Sequence, residues 1–175
     1  MRLLIVGTGG MASSHALAFS KIAGVELIGG VDVDRKRVDD FAAKHKMLKA
    51  FTSLDEAIAW GGFDAAANVT PDSAHHPTTM ALLKAGKHVF CEKPLALNAQ
   101  DAYAMVEEAQ KRRLINMVNF TYRNASAIQE ARRLDKRRVA EASDGFQILA
   151  GFERTVLRAM VVDASRRELI QAGDV

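Results

Sequence analysis

The chain has 175 residues, of which 49% are hydrophobic, a formal net charge of +3 and one cysteine. That length suits the core of one ordinary domain with room for an appended element, and the lone Cys91 excludes an internal disulfide or a metal framework built on several cysteines. No apolar run approaches the roughly 18 residues of a membrane span, and MRLLIVGTGG turns to glycine too soon for a secretory signal, so the expectation is a soluble, untargeted, cytoplasmic protein.

The first ninety residues alternate short apolar runs with stretches of helical spacing. A strand at about 2–6 leads into a helix at about 10–22, and a second strand at about 25–31 leads into the helical DRKRVDDFAAKHK. A short strand near LKAF and a helix capped by Ser53, with Glu56 three residues on, complete the first half. The second half opens with a strand at about 63–68, after which Thr70-Pro71-Asp72 turns the chain. Pro77 is expected at the first position of the helix PTTMALLKAG, which Gly86 ends. A strand at 87–91, a helix from Ala99 to Arg113 capped by Asn98, and a sixth strand at INMVN follow. Continuous apolar strands suit a sheet covered on both faces, so the fold class is α/β, a doubly wound parallel sheet over residues 1–122.

Residues 123–175 read as a helical extension. ASAIQEARRLDKRRVAEA is basic and partly apolar, and a last helix opening at Ser143 or Asp144 would carry Phe146, Leu149, Phe152, Val156, Met160 and Ala164 along one stripe. Such a stripe needs a cover, from its own sheet or from a second copy, and a homo-oligomer joined through these helices is expected. Nine Lys or Arg lie between Lys111 and Arg138 against only Glu130 and Asp135. Helical charge runs are usually solvated faces and no nucleic-acid motif accompanies this one, so nucleic acid is not the expected partner.

Directly after the first strand, Gly7-Thr8-Gly9-Gly10-Met11-Ala12 matches the dinucleotide pattern with alanine in the last place. Gly7 makes the tight turn, Gly9 admits a pyrophosphate to the backbone, and small Ala12 allows close packing of helix on strand. The helix start at Gly10 and Met11 then offers amides and a positive dipole to the anion. Twenty residues past Ala12, Asp32 ends the second strand, where a carboxylate accepts from an adenosine ribose. Asp32 favours NAD by repelling a 2′-phosphate, while Arg35 and Arg37 leave NADP open.

Two further turns fall at the carboxyl ends of strands, the edge where open α/β sheets bind ligands: Asn68-Val69-Thr70-Pro71 and Cys91-Glu92-Lys93-Pro94. Lys93 would stand where a nicotinamide meets its substrate, and a proline after it, in a cis peptide, would fix the backbone. The bland reading of Lys93 is a surface ion pair. His75 and His76, adjacent and therefore divergent, are not expected to bind metal. Cys91 reads as a buried strand-end thiol, Trp60 as a packing residue, and Ser13-Ser14-His15 as neither nucleophile elbow nor triad.

The order VGTGGMA, GVDVD, VTPDSAHH, ALLKAGKHVFCEKPLAL and VNFTYRNASAIQEARRL, through about residue 134, resembles the N-terminal half of the glucose-fructose oxidoreductase, inositol dehydrogenase and MocA family. The resemblance implies an NAD(P)-dependent oxidoreductase that moves hydride between nicotinamide and a sugar or polyol hydroxyl or carbonyl. By the same resemblance Gly7, Gly9 and Ala12 hold the pyrophosphate, Asp32 holds the ribose, Thr70, Pro71 and His75 line the crevice, and Glu92 and Lys93 approach the nicotinamide. Lys93 is then the catalytic candidate, and Tyr122 and Arg123 match the segment after the sixth strand, Arg123 on the cofactor side. Members are typically about twice as long, and DGFQILAGFERTVLRAMVVDASRRELIQAGDV resembles the family's last helix and tail. The expectation is therefore a first half joined to a last helix without the middle substrate domain, either a reduced enzyme or a nucleotide-binding module without turnover.

Overall fold

Side chains of a strand alternate between the two faces of a sheet, so a strand that is apolar at every position demands a layer on each side. The computed structural model describes residues 1–120, with residues 129–130, 133–134, 162–163 and 168–169. Within the first span the chain runs β1 (Arg2–Val6), α1 (Ala12–Phe19), β2 (Glu26–Val31), α2 (Arg35–Lys44), β3 (Lys49–Phe51), α3 (Leu54–Trp60), β4 (Ala65–Asn68), α4 (Asp72–Lys84), β5 (His88–Cys91), α5 (Ala99–Arg112) and β6 (Asn116–Val118). The six strands form one sheet in the order β3-β2-β1-β4-β5-β6, every pairing parallel.

The central strand β1 shows how the two layers arise. Leu4 and Val6 join Phe63, Leu82, Leu83 and Met105 in a core against α3, α4 and α5, while Leu3 and Ile5 turn the other way to Ala12, Ala16 and Phe41 on α1 and α2. Each fully buried leucine contributes roughly 1.5–3 kcal/mol of transfer free energy. Helices start where side chains accept the free amides: Asp34 from Arg37 N–H, Ser53 from Asp55 N–H, and Asn98 from Asp101 N–H.

Pro77 does not open its helix. Helix α4 begins at Asp72, with Pro71 as its N-cap, and carries Pro77 in its interior. An interior proline forfeits the bond to the carbonyl four residues back and costs about 3 kcal/mol in an isolated helix. Here the turns on either side are tied down: His75, Thr79, Leu82 and Leu83 are buried, and Asn68 donates its amide to both the His75 carbonyl and the Thr79 hydroxyl. Tertiary anchoring therefore outweighs the local signal, and the exposed Pro77 faces outward.

Gln129–Glu130 and Arg133–Leu134 are helical, as the basic stretch suggested. Val162–Asp163, which the apolar-stripe reading assigns to the last helix, instead forms a strand, β7, paired antiparallel with Glu168–Leu169, β8. A β-branched valine favours that extended pairing. The remainder of the proposed last helix, its oligomer contact, and Tyr122 and Arg123 lie outside the described residues. Among the described residues, no helix is long and apolar enough to cross a membrane.

Candidate dinucleotide site at the carboxyl edge

All six strands run the same way, so the segments leaving β1, β2, β4, β5 and β6 emerge on one edge of the sheet. The order reverses between β1 and β4, and that switch point is where the loops diverge and leave a crevice.

Gly7 is required at the first turn for two reasons. Its φ is +86°, and a Cβ there would stand 2.7 Å from the Val69 carbonyl oxygen and 2.8 Å from the Thr70 nitrogen. The turns after β1 and β4 thus touch backbone to backbone, an approach supported by the Val69 N–H to Val6 carbonyl bond (2.7 Å), while the Gly7 N–H to Val31 carbonyl bond (2.8 Å) ties the same turn to the end of β2. Gly9 differs: a Cβ there, or at Gly10, would meet no atom within 4 Å. Ala12 is fully buried, Met11 is exposed, and no side chain caps α1. The Ala12 and Ser14 N–H groups donate to the Gly9 and Met11 carbonyls (3.1 Å each), no side chain caps the helix, and its positive end faces the open space beside Gly9 and Gly10, a setting that suits an anion.

Asp32 is buried and held from several directions. One oxygen accepts from the Thr8 N–H (2.9 Å) and the Thr8 hydroxyl (2.8 Å), and the other accepts from the Asp34 N–H (3.1 Å), with an Arg37 guanidinium nitrogen 3.4 Å away. Burial pushes its pKa up, but these donors and the Arg37 charge outweigh that and hold it below the usual carboxylate value. Asp32 is thus an ionised acceptor fastened to the glycine loop itself.

Across the switch point, Asn68 shapes the turn after β4 by accepting from the Thr70 N–H (3.3 Å) and hydroxyl (2.7 Å). His75 is fully buried rather than exposed to the crevice, and its ring spans two turns, Nδ1 at 2.6 Å from the Pro94 carbonyl and Nε2 at 2.9 Å from the Thr70 carbonyl. The Lys93–Pro94 peptide is cis, and both residues are exposed. Glu92 is buried. Its Oε1 accepts from His15 Nε2 (2.5 Å) and Asn119 Nδ2 (2.7 Å), and its Oε2 accepts from the Lys93 N–H (3.0 Å). Burial raises the Glu92 pKa, yet the bonds from Asn119, the Lys93 amide and His15, with the charge of His15, bring it below the ordinary value.

The sequence-derived residues Gly7, Gly9, Gly10, Met11, Asp32, Thr70, Pro71, Glu92 and Lys93 therefore lie on turns of one sheet edge, with Ala12 opening α1 beside them and His75 underneath. Cys91 is fully buried and its thiol is pushed up to about 12, chiefly by burial, which makes it inert packing. Among the described residues, no group of three or more His, Cys, Asp or Glu side chains could hold a metal ion. Sequence reasoning missed Thr8, His15 and Asn119. The available signal was indirect: a buried carboxylate at a strand end must find donors, and Glu92 and Asp32 both sit at strand ends.

An open parallel sheet with a glycine turn after its first strand, an acid after its second and a lysine on the far side of the switch point defines a doubly wound nucleotide-binding α/β protein. The match to a family model agrees and narrows the class. The chain belongs to the GFO_IDH_MocA family, oxidoreductases with an NAD-binding Rossmann fold, whose model matches residues 1–120.

Among its relatives, 4-carboxy-2-hydroxymuconate-6-semialdehyde dehydrogenase of a Sphingobium species is 33% identical over 123 residues, covering 70% of this chain and 39% of that protein. The 1,5-anhydro-D-fructose reductase of Ensifer adhaerens is 28% identical over 169 residues, covering 97% of this chain and 50% of the relative. In structure, the chain is similar to the WlbA dehydrogenase of Bordetella pertussis in complex with NADH and UDP-GlcNAcA, with a TM-score of 0.74 at 25% identity over 78% of this chain and 42% of that one. The chain thus spans half or less of the length of these relatives.

Proposed function

We propose that this chain binds a nicotinamide dinucleotide and takes part in hydride transfer between it and a sugar or polyol hydroxyl or carbonyl, with Lys93 as the proton-transferring residue. The observation that carries this reading is the contrast within the glycine turn: Gly7 is fixed by the packing of the protein, whereas Gly9 and Gly10 border open space at a helix start without a side-chain cap. A fold gains nothing for itself from two glycines facing open space. A pyrophosphate approaching the backbone explains them.

On this reading Gly7, Gly9, Gly10, Met11 and Ala12 form the pyrophosphate seat and the Asp32 carboxylate accepts from the adenosine ribose. Thr70 and Pro71 border the nicotinamide half, supported by His75 below, and Glu92 and Lys93 complete that end; Arg123, which the family resemblance adds to the cofactor side, lies outside the described residues. The bound nicotinamide supplies hydride chemistry. The protein must supply the rest: oxidising a hydroxyl releases a proton, and the Lys93 Nζ, exposed at the rim, is placed to take it. Asp32 also sets the preference between the two dinucleotides, because an ionised carboxylate at the ribose repels a 2′-phosphate and favours NAD. Arg37, half exposed beside Asp32, leaves NADP as the weaker ligand.

Fluorescence titration tests this reading. NADH should bind more tightly than NADPH, and Asp32→Asn should weaken NADH by about tenfold, about 1.4 kcal/mol. A turnover screen across sugars and polyols should find oxidation that Lys93→Ala abolishes while NADH binding survives. Failure to bind either dinucleotide would overturn the proposal.

A further inference from the structure

We propose that His15 is a positioning residue for Lys93: from inside α1 it holds the Glu92 carboxylate, whose other oxygen holds the Lys93 backbone. The glycine-loop helix and the lysine rim then move as one unit. The inference deepens the reading of Lys93 given above and rests on it.

The geometry is specific. His15 lies one turn into α1, close behind the glycine loop, and is buried. Its ring is packed by Phe19, stacked at 6.2 Å between centroids and 27° between planes, and by Phe90, edge-on at 5.8 Å. Those two rings themselves meet edge to face at 5.4 Å, so the imidazole has little freedom to turn. Its Nε2 is thereby aimed at Glu92 Oε1, across 77 residues of sequence. Asn119, from the end of β6, donates to the same oxygen, which leaves Oε2 for the Lys93 N–H. The carboxylate is thus gripped from α1 and from β6, and it passes that constraint to the residue that follows it.

A carboxylate that merely had to be tolerated in the interior would be equally satisfied by solvent at the exposed rim one residue away, where Lys93 stands. Glu92 instead turns inward and spends its second oxygen on the backbone of the lysine. On the opposite flank the His75 ring holds the Pro94 carbonyl. The Lys93 backbone is therefore fixed on both sides while its side chain stays exposed, the arrangement required of a group that must meet a substrate with sub-ångström reproducibility.

The test uses the whole chain with its lysines reductively ¹³C-methylated, the Lys93 signal being assigned by its loss in Lys93→Arg. His15→Phe keeps an aromatic ring between Phe19 and Phe90 and removes only the donor. It should displace the Lys93 signal in the free chain and abolish the signal's response to NADH. His15→Gln, which restores an N–H donor, should return both toward wild type, a rescue that a role in packing alone would not give. A Lys93 signal unmoved by His15→Phe in the free chain overturns the proposal, as does failure of His15→Gln to rescue. Should His15→Phe fail to fold, Asn119→Ala removes a donor from the same oxygen and must displace the signal; an unchanged signal is then the contradicting result. If NADH leaves the wild-type signal unmoved, the cofactor reading falls, while the free-chain displacement still decides the role of His15.

Discussion

Two glycines two residues apart do different work. At Gly7 the backbone sits at a positive φ with the Val69 carbonyl oxygen 2.7 Å from any added Cβ, so Gly7→Ala must push the turns after β1 and β4 apart. At Gly9 nothing lies within 4 Å. Gly7→Ala should therefore lower the unfolding free energy by about 1–3 kcal/mol, from strain at a special backbone position, read as a lower urea midpoint. Gly9→Ala should leave stability within about 0.5 kcal/mol yet weaken NADH at least tenfold, because its methyl occupies the space the pyrophosphate needs. Equal loss of stability in the two variants would show that Gly9 serves the fold alone. The positions of both glycines, Asp32 and Lys93 at the carboxyl ends of strands were legible in the sequence, because each closely follows an apolar strand run. His15, Asn119 and Thr8 were not, because their importance lies in partners 77, 27 and 24 residues away.

Buried carboxylates tie elements to one another. Asp32 joins the end of β2 to the loop after β1, and Glu92 joins β5 to α1 and β6. Each has a pKa held below its ordinary value in the folded chain, so each contributes stability that is complete above its unfolded pKa, about 4, and is lost as pH falls through the folded value. Urea unfolding from pH 7 down to about 3.5 should show stability falling below about pH 5. Glu92→Gln, less stable than wild type at pH 7, should fall less steeply, and parallel curves for the two proteins would contradict this assignment. The elements themselves were read from sequence with few misses. The instructive one is α4: Pro77 signals a helix start, but five residues before it Asp72 already stands in the first turn, because the buried His75, Thr79 and the Asn68 amide fix that segment from the sheet side. Propensity is local, and anchoring is not. Near the C-terminus, Val162–Asp163, inside the span expected to be the last helix, pairs instead with Glu168–Leu169.

At the scale of the molecule, parallel strands and a switch point between β1 and β4 bring five chain segments, scattered from residue 7 to residue 119, to one edge. That convergence was readable in advance because continuous apolar strands imply a doubly wound sheet, and a doubly wound sheet fixes where its loops emerge. The clamps beneath the edge were not readable, since they depend on which loop side chains turn inward. On the function proposed above, the glycine turn, Asp32 and the Lys93 rim form one nicotinamide dinucleotide site, and hydrogen–deuterium exchange with and without saturating NADH reads all three at once. Residues 7–12, 32–34, 69–71 and 92–94 should gain protection together, while the end of α5 at residues 108–113 should be unchanged. Protection confined to other segments, or limited to the glycine turn with none at residues 92–94, would contradict it.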